Sequence, residues 1–166
     1  MKTKDFAVTG FVVLLGALLA YLWLAPAGHP MAPQASFTDL QGKQFTLQDL
    51  RGKPVIINFW ATTCPGCVKE IPAFIELYKK HAEKNLVIIG VAMDYDPESQ
   101  VREMVRRKQM FYTIVLDTKG ELAQAFDQVS LTPTTFFINK NGQIVTRKLG
   151  EMTHAEMESN LQNMLL

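Results

Sequence analysis

Residues 55–72 read VIINFWATTCPGCVKEIP, and they indicate how the rest of the domain is organised. The first part, 55–60, is a run of β-branched and aromatic residues with one asparagine, which is typical of a central strand covered on both faces. From Pro65 onward the apolar residues recur at helical spacing. Cys64 and Cys67, the two cysteines of the chain, therefore lie where a buried strand gives way to a helix.

The position of these cysteines predicts a reactive pair. Cys64 precedes the first helical turn, where unpaired backbone N–H groups and the helix dipole stabilise an anion by about 0.3–2 kcal/mol. Its thiol is therefore expected to be largely thiolate near neutral pH, which makes it the attacking sulfur. Pro65 fixes a helical φ in the first turn, and Gly66 carries no side chain to obstruct an approaching disulfide. Cys67 lies one turn further in and is expected to resolve the mixed disulfide by attacking Cys64.

Two other uses of the cysteines are weaker. A structural disulfide that closes so short a loop contributes only about 2 kcal/mol, and a domain of this size does not need one. A structural zinc site requires four ligands, whereas the three histidines are scattered at His29, His81 and His154. We therefore predict a redox-active disulfide, with no metal and no bound cofactor.

The remaining pattern predicts an α/β domain over residues 36–166. Strands and helices alternate along it, which is typical of a sheet with helices on both faces. Asn141-Gly142 predicts a tight hairpin turn, and Thr153 with Glu156 forms a capping box that begins the last helix. After an initial hairpin at 37–47, the predicted elements are strands at 55–60, 86–93, 113–116, 135–138 and 143–148, and helices at 65–80, 97–108, 121–126 and from 154 onward.

The N-terminal segment predicts a membrane anchor. Residues 6–24 are apolar apart from one threonine and two glycines, and a helix of this length spans about 28 Å at about 1.5 Å per residue. Lysines precede the segment and Tyr and Trp lie at its far end, which predicts an N-terminus on the cytoplasmic side. We expect residues 1–24 to cross the cytoplasmic (inner) membrane once, residues 25–35 to form a proline-rich linker, and the domain to face the periplasm.

The alternative for this segment is a cleaved signal peptide. Ala25-Pro26-Ala27 offers the small residues that cleavage prefers, but the apolar run exceeds the usual length of about 7–15 residues. Both interpretations place the domain in an extracytoplasmic space, where disulfide chemistry is permitted.

The overall charge limits the classes of partner. Seventeen basic and sixteen acidic residues give a formal charge of +1. The basic clusters at 79–80 and 106–108 lie among helical residues with acidic neighbours, which is typical of a solvated helix face. We expect a monomer with no nucleic-acid partner.

Three motifs, taken in order, resemble those of the TlpA/ResA/DsbE-type thioredoxin-like proteins. They are the lead-in at 45–47 and 49–55, the active-site segment 58–72, and the segment 132–138. The resemblance covers 36–166 and implies a thioredoxin fold with a central mixed sheet, an N-terminal β-hairpin extension and a central αβ insertion. It also implies a membrane-anchored reductase whose clients are apocytochrome c thiols or copper-site assembly proteins. A transmembrane reductase of the DsbD/CcdA type would supply the electrons.

The resemblance also implies roles for residues outside the cysteine pair. Pro133 would be a cis proline facing the cysteines, which leaves the backbone of Thr132 free to pair with a client; an ordinary proline at a strand start is the alternative. Glu70 would take the proton of the second cysteine, with a pKa raised by burial; a solvated helix glutamate is the alternative. Trp60 would pack under the site, although core packing explains it equally well. The residues expected to contact substrate are Trp60, Pro65, Gly66, Thr132 and Pro133.

Two positions carry residues that differ from those usual in thioredoxin-like proteins. Asn58 stands where cytoplasmic thioredoxins carry a buried aspartate, and an amide cannot take a proton, which places more of the acid–base chemistry on Glu70. Thr63 stands where the family usually has tryptophan, which leaves the client and the redox potential open.

Three competing functions remain. Pro65 directly after the first cysteine also occurs in oxidants of the DsbA type. A copper-binding assembly factor of the Sco type shares the fold, but it uses a wider cysteine spacing and a histidine in the loop that here holds Thr132-Pro133. A peroxiredoxin is a weaker option, because its Pro-x-x-x-Thr-x-x-Cys pattern precedes neither cysteine.

Overall fold

The computed structural model describes the backbone of residues 2–24 and 28–165, and the side chains of residues 10–21, 28–81 and 83–165. A first helix, α1, runs over Lys2–Leu24. Among the side chains described, no helix has a stretch long and apolar enough to cross a membrane. The predicted span covers residues 6–24, but the side chains of 6–9 and 22–24 are outside the described part of the chain. The membrane anchor therefore stays a prediction.

The domain alternates strands and helices in the predicted order. The β3 and α2 ranges are those predicted, and the other elements differ only at their ends. The strands are β1 (Ser36–Thr38), β2 (Gln44–Thr46), β3 (Val55–Trp60), β4 (Val87–Ala92), β5 (Thr113–Leu116), β6 (Thr134–Ile138) and β7 (Ile144–Leu149), and the helices are α2 (Pro65–Lys80), α3 (Glu98–Lys108), α4 (Glu121–Ala125) and α5 (His154–Leu165).

Five strands form a mixed sheet in the order β5-β4-β3-β6-β7. β3 lies in the centre, parallel to β4 and antiparallel to β6. β5 runs parallel to β4, and β7 runs antiparallel to β6. β1 and β2 form a separate antiparallel hairpin. These pairings confirm the predicted mixed sheet and the N-terminal hairpin. The expected central αβ insertion corresponds to α3 and β5, and β5 forms an edge strand of the sheet.

Both faces of β3 are covered, as its apolar sequence predicts. Successive side chains of a strand point to opposite faces, so Ile56 and Trp60 join one core cluster while Ile57 and Phe59 join another. The first cluster contains residues of α2, α3 and α5. The second contains α4 and the β1–β2 hairpin. The strand that leads to Cys64 is therefore held between two packed layers.

Part of the predicted linker is attached to the domain. The Ala32 N–H donates to the Gly142 carbonyl at 2.9 Å, and the Ile144 N–H donates to the Pro30 carbonyl at 2.8 Å. Residues 25–27 lie outside the described part of the chain. The second half of the predicted linker thus runs beside the β6–β7 hairpin.

The predicted capping box begins the last helix. The Glu156 N–H donates to Thr153 Oγ1 at 3.2 Å, and the Thr153 N–H donates back to the Glu156 carboxylate at 2.8 Å. These bonds from Thr153, with a smaller contribution from Lys148, lower the pKa of Glu156 to about 2. The reciprocal bonds set where α5 starts, directly after the loop that meets α2.

Candidate active site

Cys64 caps the helix that carries Cys67. β3 ends at Trp60 and α2 begins at Pro65, so Cys64 is the N-cap residue, with an extended backbone. Its Sγ accepts a hydrogen bond from the Cys67 N–H at 3.1 Å. A disulfide joins the two cysteines, so this is the oxidised form of the protein. The backbone thus places the first sulfur at the positive end of the helix dipole.

The two sulfurs differ in their access to solvent. Cys64 is partly exposed, whereas Cys67 is 3% exposed and belongs to the core cluster under α2. A client disulfide can therefore reach Cys64 more readily than Cys67. The helix N-terminus favours the thiolate of Cys64 after reduction. This asymmetry suits Cys64 to attack a client and Cys67 to resolve the mixed disulfide.

Glu70 is a buried carboxyl on the same face of α2 as Cys67. Residues three apart on a helix are neighbours, and Glu70 is 3% exposed. Its Oε1 accepts a hydrogen bond from the Met152 N–H at 2.6 Å, whereas its Oε2 has no hydrogen-bond partner among the described residues. A carboxyl with a free buried oxygen beside a buried thiol is suited to exchange a proton with it.

Burial raises the pKa of Glu70 from 4.5 to about 7. The Met152 hydrogen bond opposes this rise, because it favours the charged form. The nearby charges of Glu151 and Glu156 raise the pKa, and Lys148 lowers it. Glu70 is therefore a carboxyl that changes its charge near neutral pH.

The Thr132–Pro133 peptide bond is cis, as predicted. β6, which follows it, pairs its first residue with Phe59 near the end of β3 that leads to the cysteines. Pro133 is buried and its carbonyl accepts from the Gly150 N–H at 2.8 Å. Thr132 is half-buried, and its backbone bonds to no other backbone group in the described ranges. Contact of this segment with a client stays a prediction.

Asn58 and Trp60 lie on the α2 side of β3 and support the site from below. Asn58 is buried and its Nδ2 donates to Thr135 Oγ1 at 2.9 Å. Trp60 is also buried, with its indole packed near Gly90. Because its side chain is enclosed, Trp60 is not available to contact a client directly, contrary to the prediction that included it among the substrate contacts.

Asp96 holds the loop that precedes the cysteines, and sequence reasoning missed it. Its buried carboxylate accepts from the Thr62 N–H and from the Thr62 hydroxyl, both at 2.6 Å. Asp96 follows β4, and the carboxyl ends of parallel β3 and β4 meet at one edge of the sheet. An acidic residue after the neighbouring parallel strand was the available signal.

The space beside Gly66 is filled, which differs from the prediction that this glycine leaves it open. A Cβ added to Gly66 would lie 2.6 Å from Oε1 of Glu151. Glu151 Oε2 is also 3.0 Å from Nζ of Lys69 in the first turns of α2. Sequence reasoning missed Glu151, since nothing local distinguishes it from other surface glutamates. Pro65, by contrast, is exposed beside Cys64.

Thr63 opens onto a groove between the cysteine loop and α3. The groove has a volume of about 430 Å³. Its polar lining includes Gln100, Glu103 and Arg107. The exposed Thr63, directly before Cys64, forms part of the wall of this groove.

Comparison with known proteins agrees with this site. The family model described as Redoxin matches residues 26–165. The chain is 39% identical over 131 residues to a thiol-disulfide oxidoreductase ResA of Bacillus cereus, in an alignment that covers 79% of this chain and 75% of that protein. It is 37% identical over 131 residues to the thioredoxin-like protein YneN of Bacillus subtilis, covering 78% and 76% of the two chains.

A solved structure extends the similarity to the fold. The crystal structure of a thiol:disulfide interchange protein of the thioredoxin family from Chlorobium tepidum TLS superposes with a TM-score of 0.77 at 27% identity. The superposition covers 84% of this chain and 99% of that one. The mixed sheet and its helices therefore form a thioredoxin fold.

Proposed function

The chain belongs to the Redoxin family and is a thiol–disulfide oxidoreductase of the ResA type, and on this basis we propose that it acts as a reductant of exported client proteins. The reduced pair, Cys64 and Cys67, would donate two electrons to a client disulfide and close into the disulfide seen in the structure. The proposed clients are apocytochrome c thiols before haem attachment, or copper-site assembly factors.

The exchange has two steps. The Cys64 thiolate attacks one sulfur of the client disulfide, the client S–S bond breaks, and the second client sulfur leaves as a thiolate that takes up a proton. Cys67 gives its proton to Glu70 and attacks Sγ of Cys64. The mixed disulfide breaks, the first client sulfur leaves and is protonated, and the Cys64–Cys67 bond forms.

The position of Glu70 carries this proposal. Burial disfavours the thiolate of Cys67, so an unaided loss of its proton would be slow. Glu70 follows Cys67 by three residues on the same helix face, and its Oε2, which has no partner among the described residues, can accept that proton. Before it takes this proton, the ionised Glu70 also disfavours a thiolate on Cys67. The reduced pair is thereby less stabilised as a thiolate and gives up its electrons more readily, which supports the direction of a reductant.

The segment before β6 is the proposed docking edge for the client. The backbone of Thr132, which pairs with no other backbone group in the described ranges, can bond an extended client segment in the manner of an added strand. Leu131 beside it is 61% exposed and offers an apolar contact. The client cysteine would then meet Cys64, which is partly exposed.

Equilibration with glutathione buffers tests the direction of electron flow. A reductant is expected near the potential of thioredoxin, about −270 mV, whereas a value near about −120 mV would show an oxidant of the DsbA type. In parallel, the Cys64→Ser variant should lose the reduction of a model disulfide. Retained activity in that variant would overturn the mechanism.

The compartment and the electron donor belong to the same proposal. The apolar segment 6–24, with lysines before it, supports a single-pass anchor in the cytoplasmic membrane and a periplasmic domain. A transmembrane reductase of the DsbD/CcdA type would then re-reduce the pair. Expression of the Cys67→Ala variant in cells should trap mixed disulfides with the client and the donor, which mass spectrometry can identify. Protease protection of the domain in spheroplasts would contradict the periplasmic placement.

A further inference from the structure

Three consecutive residues after β7 each contact a different part of the exchange site. The Gly150 N–H donates to the Pro133 carbonyl at 2.8 Å, and the Met152 N–H donates to Glu70 at 2.6 Å. Between them, Glu151 turns towards the start of α2. The segment 150–152 therefore joins the proline segment, the buried acid and the cysteine helix.

The Glu151 carboxylate lies against Gly66, which stands between the two cysteines in the sequence. A Cβ on Gly66 would be 2.6 Å from Oε1 and 2.9 Å from Cδ of Glu151, closer than van der Waals contact allows. Oε2 of the same carboxylate lies 3.0 Å from Nζ of Lys69. The side chains of Glu151 and Lys69 are 46% and 78% exposed, so both charges lie at the rim of the site.

We propose that Glu151 is a further residue of the exchange site, and that its negative charge beside the cysteine pair makes the protein a stronger reductant. This inference rests on the proposed function and extends it. A negative charge near a thiol disfavours the thiolate. The reduced form then gives up its electrons more readily. In DsbA the opposite holds, because its reduced form is stabilised and the protein is therefore an oxidant. Lys69 offsets part of this effect through the ion pair.

The test compares the glutathione equilibrium of the full chain with that of charge variants. Glu151→Gln keeps the shape of the side chain and removes its charge, so we expect a shift towards the dithiol of about twofold to fivefold, the size of one exposed charge interaction. Lys69→Met leaves Glu151 uncompensated and should shift the equilibrium the other way. Glu121→Gln, an exposed glutamate on α4 at the opposite face of the sheet, is the control and should change nothing.

Two further readouts separate charge from structure. The shift in Glu151→Gln should shrink in high salt, because the pair is exposed to screening, and iodoacetamide should alkylate reduced Cys64 faster than in the wild type. Gly66→Ala should displace the Glu151 carboxylate. It should therefore shift the glutathione equilibrium more in the wild-type background than in the Glu151→Gln background. Equal shifts in the two backgrounds would show that Glu151 does not act through this contact.

The result for Glu151 is independent of the result for the proposed function. A wild-type potential near that of DsbA would overturn the proposal that the protein is a reductant, whatever equilibrium the charge variants show. A Glu151→Gln variant with the wild-type equilibrium, or one shifted towards the disulfide, would overturn the role of Glu151 and leave the reductant in place.

Discussion

The backbone N–H of Met152 donates a 2.6 Å hydrogen bond to Oε1 of Glu70, and it thereby ties the loop before α5 to the helix that carries both cysteines. The bond satisfies one oxygen of a buried carboxyl, and the other oxygen, which has no partner in the part of the chain that the structure describes, can accept a proton. The donor is a backbone N–H, so the bond does not depend on a side-chain donor at 152. The proton acceptor is thus fixed by the fold.

Glu70→Gln is expected to slow the resolution of the mixed disulfide about 100-fold or more above pH 7. Gln keeps the shape and the bond from Met152, but it cannot take a proton. In the wild type, the rate of this step should rise with pH through about 7, as Glu70 ionises. Stopped-flow measurement of mixed-disulfide decay across this range checks the profile, and an unchanged profile in the variant would show that another group takes the proton.

Glu70 also makes the stability of the oxidised protein depend on pH. Its pKa is raised from 4.5 to about 7 by folding, so its contribution is fully present below the lower value and is lost as the pH rises through the higher one. A shift of this size corresponds to on the order of 3 kcal/mol. Urea unfolding should show the wild type losing stability over this window relative to Glu70→Gln. Parallel pH dependence of the two proteins would contradict the raised pKa.

Asp96→Ala is expected to destabilise the domain by about 2–4 kcal/mol. The substitution removes two hydrogen bonds to a charged acceptor and leaves the Thr62 N–H without its partner. Thr62→Val removes only the hydroxyl bond and should cost about half as much. Thermal unfolding measures both, with Asp94→Ala, an exposed neighbour, as the control. Equal Tm values for Asp96→Ala and Asp94→Ala would mean that the cysteine loop does not depend on this carboxylate.

Gly90→Ala is expected to cost about 1–3 kcal/mol by overpacking the layer beneath the site. A Cβ at this position would lie 2.9 Å from Cδ1 of Ile114 and 3.1 Å from Nε1 of Trp60. Adding Ile114→Val removes the closest atom, so the double variant should recover part of the loss. Chemical denaturation of the four proteins gives the coupling, and strictly additive effects would rule out this contact.

The sequence could predict the local features of the fold. The apolar run 55–60 and the helical spacing from Pro65 predicted β3 and α2 with the bounds that the structure has. Asn141-Gly142 predicted its hairpin and Thr153 its capping box, because turns and caps depend on residues a few positions apart. The N-cap placement of Cys64 follows from the same local rules.

The contacts that complete the site could not be predicted from local pattern. The bonds from Met152 to Glu70 and from Thr62 to Asp96 join residues far apart in sequence, and each depends on how a loop returns to the sheet edge. Glu151 over Gly66 is a contact of the same kind. Trp60 was expected both to pack under the site and to contact substrate, and its burial in the core cluster is compatible only with the first role.

The pH-dependent alkylation of the reduced protein tests most directly whether Cys64 is the attacking sulfur. Limited labelling with iodoacetamide, followed by peptide mass spectrometry, reports the reactivity of each cysteine separately. The structure predicts that Cys64 is labelled first, with a midpoint below the value of about 8.5 for free cysteine. Equal labelling of Cys67, or a midpoint for Cys64 at or above that of free cysteine, would contradict it.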